Sequence, residues 1–191
     1  MALEIERKFL IEKPDLEWIK NNTECEVAHI VQTYLGKNKE GFGNRVREMQ
    51  IKGVKKYFHT AKKSVSGFTR IELEKEISEK DYNKYLENNK SRIALKKTRY
   101  IVKMNGLKYE IDVYPFWNET AILEVELKSE KQKFDIPEFI KVIGEVTNNL
   151  DYSNQSLAKK YSWGKMKTRS SPVARSRFLL IQNIYLFLLI L

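Results

Sequence analysis

Cysteine is nearly absent. Cys25 is the only one in 191 residues, which excludes an internal disulfide framework and a multi-cysteine zinc site built from this chain. Imidazole is scarce as well: His29 and His59 stand in unrelated segments without spacing of the His-x-x-x-His kind, and each reads as an ordinary strand or loop residue. Any metal held by these side chains must therefore be held by carboxylates, which favours hard ions such as Mg²⁺, Mn²⁺ or Ca²⁺. No charged-then-apolar leader opens the chain, so a cytoplasmic location is expected. There is no internal repeat and no collagen-like or disordered bias: 42% of residues are hydrophobic and 31% charged, enough for one compact domain with a real core plus a short extension.

What is abundant is charge. Lys and Arg number 35 against 25 Asp and Glu, a formal +10. Five of the basic residues (Lys165, Lys167, Arg169, Arg175, Arg177) follow Gly164, where no acid follows; without them the balance is +5. A basic chain prefers polyanions, and net charge alone does not choose among nucleic acid, membrane headgroups and phosphorylated metabolites.

Period-two patterns dominate, which predicts an antiparallel sheet or barrel with a few helices laid on it. Eight strands are expected near 2–11, 28–36, 43–50, 54–63, 67–77, 96–103, 106–114 and 120–128, with tight links at Gly53 and at Asn105-Gly106. Four short helices are expected: Pro14 to Asn21, a Ser78-capped helix to about Asn89, Pro137 to Ile143 ending at Gly144, and a Ser153-capped helix carrying Leu157, Ala158 and Tyr161.

The polar faces of these strands repeat one theme. Side chains alternate across a strand, so Glu4, Glu6 and Lys8 share a face, as do Arg45 and Arg47, Thr60 and Lys62, Arg70 with Glu72, Glu74 and Glu76, Lys97 and Arg99, Glu110 and Asp112, and Glu124 and Glu126. Carboxylates two residues apart on a strand sit roughly 6.6 Å apart. They repel by roughly 0.6 kcal/mol in water but by about 2.5 kcal/mol at an effective dielectric near 20. A solvated face tolerates this without help, whereas an interior needs counter-ions. Acid pairs matched by Arg and Lys pairs are what a barrel with a charged lumen requires, its apolar faces turned outward under the helices.

The segment Glu4-Ile5-Glu6-Arg7-Lys8-Phe9 resembles the Glu-x-Glu-x-Lys opening of the CYTH, or triphosphate tunnel metalloenzyme, superfamily. Seven further pieces follow in that superfamily's order: Gln32-Thr33-Tyr34-Leu35, Arg45-Val46-Arg47, Thr60-Ala61-Lys62, the acid-rich Arg70 to Ile77 strand, Lys97-Thr98-Arg99-Tyr100, Glu110-Ile111-Asp112-Val113 and Leu123-Glu124-Val125-Glu126. The likeness covers residues 2 to 161. It implies an α+β, mainly antiparallel fold: an eight-stranded closed, tunnel-like barrel with a charged lumen and short helices outside. It also implies a divalent-metal-dependent triphosphatase acting on inorganic triphosphate, with ATP or thiamine triphosphate as other substrates and adenylate cyclase as the rival activity. The cofactor is then Mg²⁺ or Mn²⁺, nucleic acid is not an expected partner, and a homodimer stays open. A polyphosphate- or nucleic-acid-binding module is the non-enzymatic alternative, and nucleic acid would bind with a steep salt dependence.

Chemistry assigns the residues within that reading. A triphosphate needs several fixed cations: Arg45, Arg47 and Arg99 offer forked donors, and Lys8, Lys62 and Lys97 point charges. Glu4 and Glu6 with Glu124 and Glu126 offer an all-oxygen metal site, and Asp112 is a further carboxylate to hold a second metal or accept the water's proton. Catalytic roles fall to Lys8, to Tyr34, which would orient the water or touch phosphate, and to Glu72 and Glu74, which would hold a second metal or accept the water's proton. One stretch departs from the superfamily's pattern: Asn149 stands where an acid is common and Asp151 where a basic residue is common, which puts in doubt a metal or phosphate contact from the last helix. Residues 165–191 lie beyond the resemblance and read as a basic, then apolar, extension of the 1–164 domain. The 14 residues from Phe178 to Leu191 would span roughly 21 Å as a helix, short of a bilayer core of about 30 Å, so a membrane anchor there is the weaker expectation.

Overall fold

The computed structural model describes residues 2–66, 69–89 and 92–161. Nine strands run as β1 (Ala2–Glu12), β2 (Cys25–Lys37), β3 (Gly43–Ile51), β4 (Val54–Ser66), β5 (Thr69–Ile77), β6 (Ile93–Met104), β7 (Leu107–Val113), β8 (Thr120–Leu127) and β9 (Val142–Glu145). Three helices join them: α1 (Leu16–Asn22), α2 (Glu79–Glu87) and α3 (Asn154–Tyr161), the last preceded by a 3₁₀ turn at Leu150–Tyr152. The architecture is α+β and mainly antiparallel, as the alternation indicated. The expected extension after Gly164 lies outside the described residues. Among the described residues no helix is long and apolar enough to cross a membrane.

Local chemistry accounts for the joints. The β3–β4 and β6–β7 hairpins turn through Lys52-Gly53 and Asn105-Gly106, and both central residues of each turn have positive φ. That is the twist-matched geometry a two-residue hairpin favours, and the left-handed region that Gly, and to a lesser extent Asn, enters at low cost. Asp15 caps α1, its side chain accepting from the Glu17 and Trp18 amides; the helix thus starts one turn-residue after Pro14. Ser78 caps α2, and Ser153 caps α3 by accepting from the Ser156 amide at 3.1 Å.

All nine strands share one sheet in the order β5-β4-β3-β2-β6-β7-β8-β1-β9, with β1 also pairing with β5. β1 has β8 along one side from Ile5 to Glu12. On its other side β5 covers Ala2 to Ile5 and β9 covers Phe9 to Ile11. This corrects the sequence expectation of a helix over Pro137 to Ile143. The chain makes a single turn there, the Ile140 amide reaching the Pro137 carbonyl at 2.9 Å, and then extends as β9. Where β5 has left β1, the backbone groups of Phe9 to Ile11 need partners, and β-branched Val142 and Ile143 suit a strand better than a helix. The contact continues past β9: the Lys8 carbonyl accepts from the Val146 amide at 2.8 Å, and the Lys8 amide donates to Thr147 Oγ1 at 3.0 Å.

The apolar faces are covered as alternation requires. Phe9, Ile11, Val102, Tyr109, Ile111, Leu123 and Val125 pack with Ile19 of α1 and Ile140. Val46 and Tyr57 pack under Tyr82 of α2, with Tyr85 and Leu86 beside it. A third cluster lies on the opposite strand face. Leu10, Leu95, Tyr114 and Ile122 each stand two positions from a charged residue (Lys8, Lys97, Asp112, Glu124) on the same strand face and pack against Leu157 and Ala158 of α3. The charged face thus ends in an apolar floor sealed by a helix.

Candidate active site

Period-two alternation sets side chains of eight strands, β1 to β8, around a cavity of about 960 Å³. Its wall includes Glu4, Glu6 and Lys8 from β1, Tyr34 from β2, Arg45 and Arg47 from β3, Lys62 from β4, Glu72 and Glu74 from β5, Lys97 and Arg99 from β6, and Glu124 and Glu126 from β8. Of the fourteen site residues expected from sequence, thirteen reach this wall. Asp112 does not line it: it is fully buried, with both oxygens turned to Arg99 and one also to Lys97.

Every expected cation has a carboxylate against it, so the interior carries its own counter-ions. Lys8 Nζ lies 2.6 Å from Glu124 and 3.5 Å from Glu6. Arg99 reaches Asp112 at 2.7 Å through Nε and again through Nη2, Glu124 at 2.5 Å, and Glu110. Lys62 bridges Glu4 and Glu72, the second at 2.8 Å, and Arg45 lies 3.3 Å from Glu72. Arg47 grips both oxygens of Glu74 at 2.8 and 3.0 Å, while Thr60 donates to the same carboxylate at 2.9 Å. Register explains the pairing: Lys8 faces Glu124 and Glu6 faces Glu126 across β1 and β8, Lys62 faces Glu72 across β4 and β5, and Arg99 faces Asp112 across β6 and β7. Directly opposed residues of an antiparallel pair share a face at close range.

The pairing is incomplete in an informative way. The Nε–H groups of Arg45 and Arg47 are buried with no hydrogen-bond partner among the described residues. Unspent buried donors are costly, and here they belong to two side chains that line the cavity. The acids on the β1–β5 side are also imperfectly served: Oε2 of Glu4 and of Glu72 sit beside Lys62 without an aligned hydrogen bond.

Electrostatics follows the geometry. Burial opposes the charge on Glu124, but Lys8, Arg99 and Lys97 outweigh it and hold the carboxyl well below the usual range. Burial works against Lys8 as well, and Glu124 and Glu6 more than offset it, so its ammonium is firmly protonated. Glu4 goes the other way: burial, helped by Glu6 and Glu72, raises its pKa despite Lys62. Burial lowers Arg47, with Arg45 and Arg99 adding to the effect, and it lowers Lys97, with Arg99 again contributing. The Tyr34 phenol is pushed up to about 12 by burial and accepts from the Gln32 amide.

Sequence reasoning left several wall residues unassigned. Gln32 stood inside a quoted motif without a role. Lys108 lines the cavity and holds Glu110 at 2.9 Å and Glu126 at 3.7 Å; its place two residues before Glu110 on the same strand face was the available signal. Ser153, Asn154 and Gln155 border the cavity from the start of α3, and nothing in a strand pattern points to them. Asn149 caps the 3₁₀ turn, accepting from the Asp151 amide at 3.0 Å, and Asp151 is exposed. Among the described residues no three His, Cys, Asp or Glu side chains are gathered in a ready metal-binding arrangement.

No protein-family model matches the chain. It is similar to an inorganic triphosphatase of Acetivibrio thermocellus, with 29% identity over 160 residues covering 83% of this chain and 95% of that protein. It is also similar to the crystal structure of the inorganic triphosphatase NE1496: 30% identity, a TM-score of 0.50, and coverage of 81% of this chain and 97% of that one. The PH1819 protein of Pyrococcus horikoshii OT3 shares the fold, with a TM-score of 0.52 at 18% identity over 66% of this chain and 80% of that one.

Proposed function

The chain belongs to the CYTH, or triphosphate tunnel metalloenzyme, superfamily, and on that premise we propose that it is a divalent-metal-dependent triphosphatase whose substrate is inorganic triphosphate. The observation that carries the reading is the gathering of six cations, Lys8, Arg45, Arg47, Lys62, Lys97 and Arg99, at the wall of one cavity, with the buried Nε groups of Arg45 and Arg47 lacking a hydrogen-bond partner among the described residues. A triphosphate is the compact polyanion that so many fixed cations suit. The β1–β5 pairing supports reading the sheet as a tunnel that closes around this cavity.

Phosphoryl transfer asks mainly for positioning and charge neutralisation. Arg45, Arg47 and Lys62 are held by Glu72 and Glu74; an entering phosphate competes for those cations, and as they turn to it the two carboxylates are released to orient a water and take its proton. Glu72 is a weak base before that exchange: burial favours its neutral form, but Lys62 and Arg45 hold its pKa low. Tyr34 keeps its proton at neutral pH and, already accepting from Gln32, has that proton free for a phosphate oxygen. Lys8 sits between Glu6 and Glu124 and neutralises charge at the reacting end.

The acids fit a divalent cation in kind. They offer oxygen donors only, and Glu4 carries a buried oxygen without an aligned hydrogen bond and a pKa raised by burial and by neighbouring carboxylates, a local shortage of positive charge that such an ion relieves. Glu4 and Glu6, with Glu124 and Glu126, would hold Mg²⁺ or Mn²⁺, which supplies further neutralisation of the transferring phosphoryl group when bound. Our reading places this work in a domain ending at Gly164 and in the cytoplasm. The test is phosphate release from triphosphate, ATP and thiamine triphosphate with Mg²⁺, Mn²⁺, Ca²⁺ or chelator, with cyclic AMP measured alongside. Metal-dependent release that is fastest from inorganic triphosphate is expected. Cyclic AMP as the main product of ATP would establish the cyclase, and no turnover of any of the three would leave a binding module.

A further inference from the structure

Among the residues expected to hold metal, Asp112 alone is set apart from the cavity. It is fully buried and absent from the wall. Its Oδ1 accepts from Arg99 Nε and its Oδ2 from Arg99 Nη2, both at 2.7 Å, the forked pairing that fixes a guanidinium in its plane. Oδ2 also accepts from Lys97 Nζ. Glu124 is ion-paired as well, to Lys8 and Arg99, but it lines the cavity, whereas Asp112 offers no oxygen to an ion there. Glu110 and Glu124 take the remaining sides of Arg99, so the direction in which that side chain meets the cavity is set from behind by one carboxylate and flanked by two.

We propose that Asp112 is a positioning residue for anion binding: it orients Arg99 and Lys97 toward the substrate phosphates and does not ligate the metal. Removing its charge leaves two buried cations side by side on β6 with one shared anchor gone, and both then turn toward Glu110 and Glu124 at the expense of the cavity. The inference rests on the triphosphatase reading, and its effects should appear without metal, since the residue acts through the cations.

Calorimetric titration of inorganic triphosphate in chelator tests it. Asp112→Asn should bind at least tenfold more weakly than wild type, while the same substitution made in a Lys97→Gln/Arg99→Gln background should change affinity less than twofold, because the groups it acts through are gone. Mn²⁺ alone, followed by electron paramagnetic resonance, should bind Asp112→Asn and wild type alike within twofold. Should Asp112→Asn not melt cooperatively, the comparison passes to Lys97→Gln with and without Asp112→Asn; the pair removes one charge of each sign, and the added substitution should still weaken binding through Arg99. Equal losses in the Arg99-containing and Arg99-free backgrounds would overturn the proposal. So would tenfold weaker Mn²⁺ binding with triphosphate affinity in chelator unchanged. Failure of wild type to bind triphosphate at all would instead remove the reading on which the proposal stands.

Discussion

Among single residues, the charges at the wall of the cavity are the ones whose loss the proposed triphosphatase should feel. Glu6 lies in register with Glu126 and 3.5 Å from Lys8. Glu6→Gln keeps the size of the side chain and removes an anionic oxygen, so the protein should stay folded while metal-dependent turnover falls by at least about tenfold, or roughly 1.4 kcal/mol of transition-state stabilisation. Unchanged turnover at limiting metal would remove Glu6 from the metal site. The same contrast applies to the cations. Arg45→Ala and Arg99→Ala each delete a guanidinium at the cavity wall, whereas Lys159 is exposed on α3. Steady-state kinetics with triphosphate should show at least about tenfold losses in kcat/KM for the two arginines and less than about twofold for Lys159→Ala. Small, equal effects at all three positions would mean that the charged face is not where the anion binds.

Elements differ in how far their place can be read from sequence. The eight long strands and the cavity-facing sets (Glu4, Glu6, Lys8; Arg45, Arg47; Lys97, Arg99) were legible because alternation is a local property that a one-residue slip would invert. The hairpin turns were legible too, since Asn105-Gly106 and Gly53 carry the needed backbone freedom. Strand pairing was legible only in part: the first strand was expected beside the last major one, and β1 does pair with β8. That β5 leaves β1 after Ile5, opening a place for β9, depends on residues more than 60 positions apart in sequence, and no local pattern at Pro137 to Gly144 records it. Asp112 was legible as one of the acids alternating on β7, but not its forked pairing with Arg99, because that depends on which neighbour faces it. The helix α3 was expected as a cover, whereas its Leu157 and Ala158 close the floor of the charged face against Leu95, Tyr114 and Ile122. Leu157 is 2% exposed, and Leu157→Ala should cost roughly 2–5 kcal/mol, the range for a buried leucine that leaves a cavity. Chemical denaturation measures it; a loss below about 0.5 kcal/mol would show that α3 is not part of the cooperative core.

For the whole molecule, folding around a shared lattice of charge ties stability to pH, and the sign differs between the two sides of the cavity. Glu124, Glu110 and Glu72 have folded pKa values below the ordinary glutamate value, burial opposing and the neighbouring cations prevailing. Each therefore adds stability that is fully present above the unfolded pKa of about 4.3 and lost as pH falls through the folded value. Glu4 is the reverse: its folded pKa is raised by burial and by Glu6 and Glu72. Its contribution is present below about pH 4.3 and is lost as pH rises through the folded value, so at neutral pH its charge is a cost. Melting temperature should thus be level from about pH 8 to 6 and fall steeply below about pH 4 as the ion-paired acids protonate. Glu124→Gln should lower the melting temperature at pH 7 and lower it less at pH 4, because the wild-type advantage is itself fading there. Glu4→Gln should raise it at pH 7, with the gain shrinking toward pH 4, and should impair turnover at the same time, the exchange of stability for function expected where like charges are gathered for a ligand. Melting curves of the three proteins across this range decide the matter. A lower melting temperature for Glu4→Gln at pH 7 would mean that its ion pair with Lys62 outweighs the crowding of the carboxylates, and that the β1–β5 side of the cavity holds no surplus of negative charge for a metal ion to relieve.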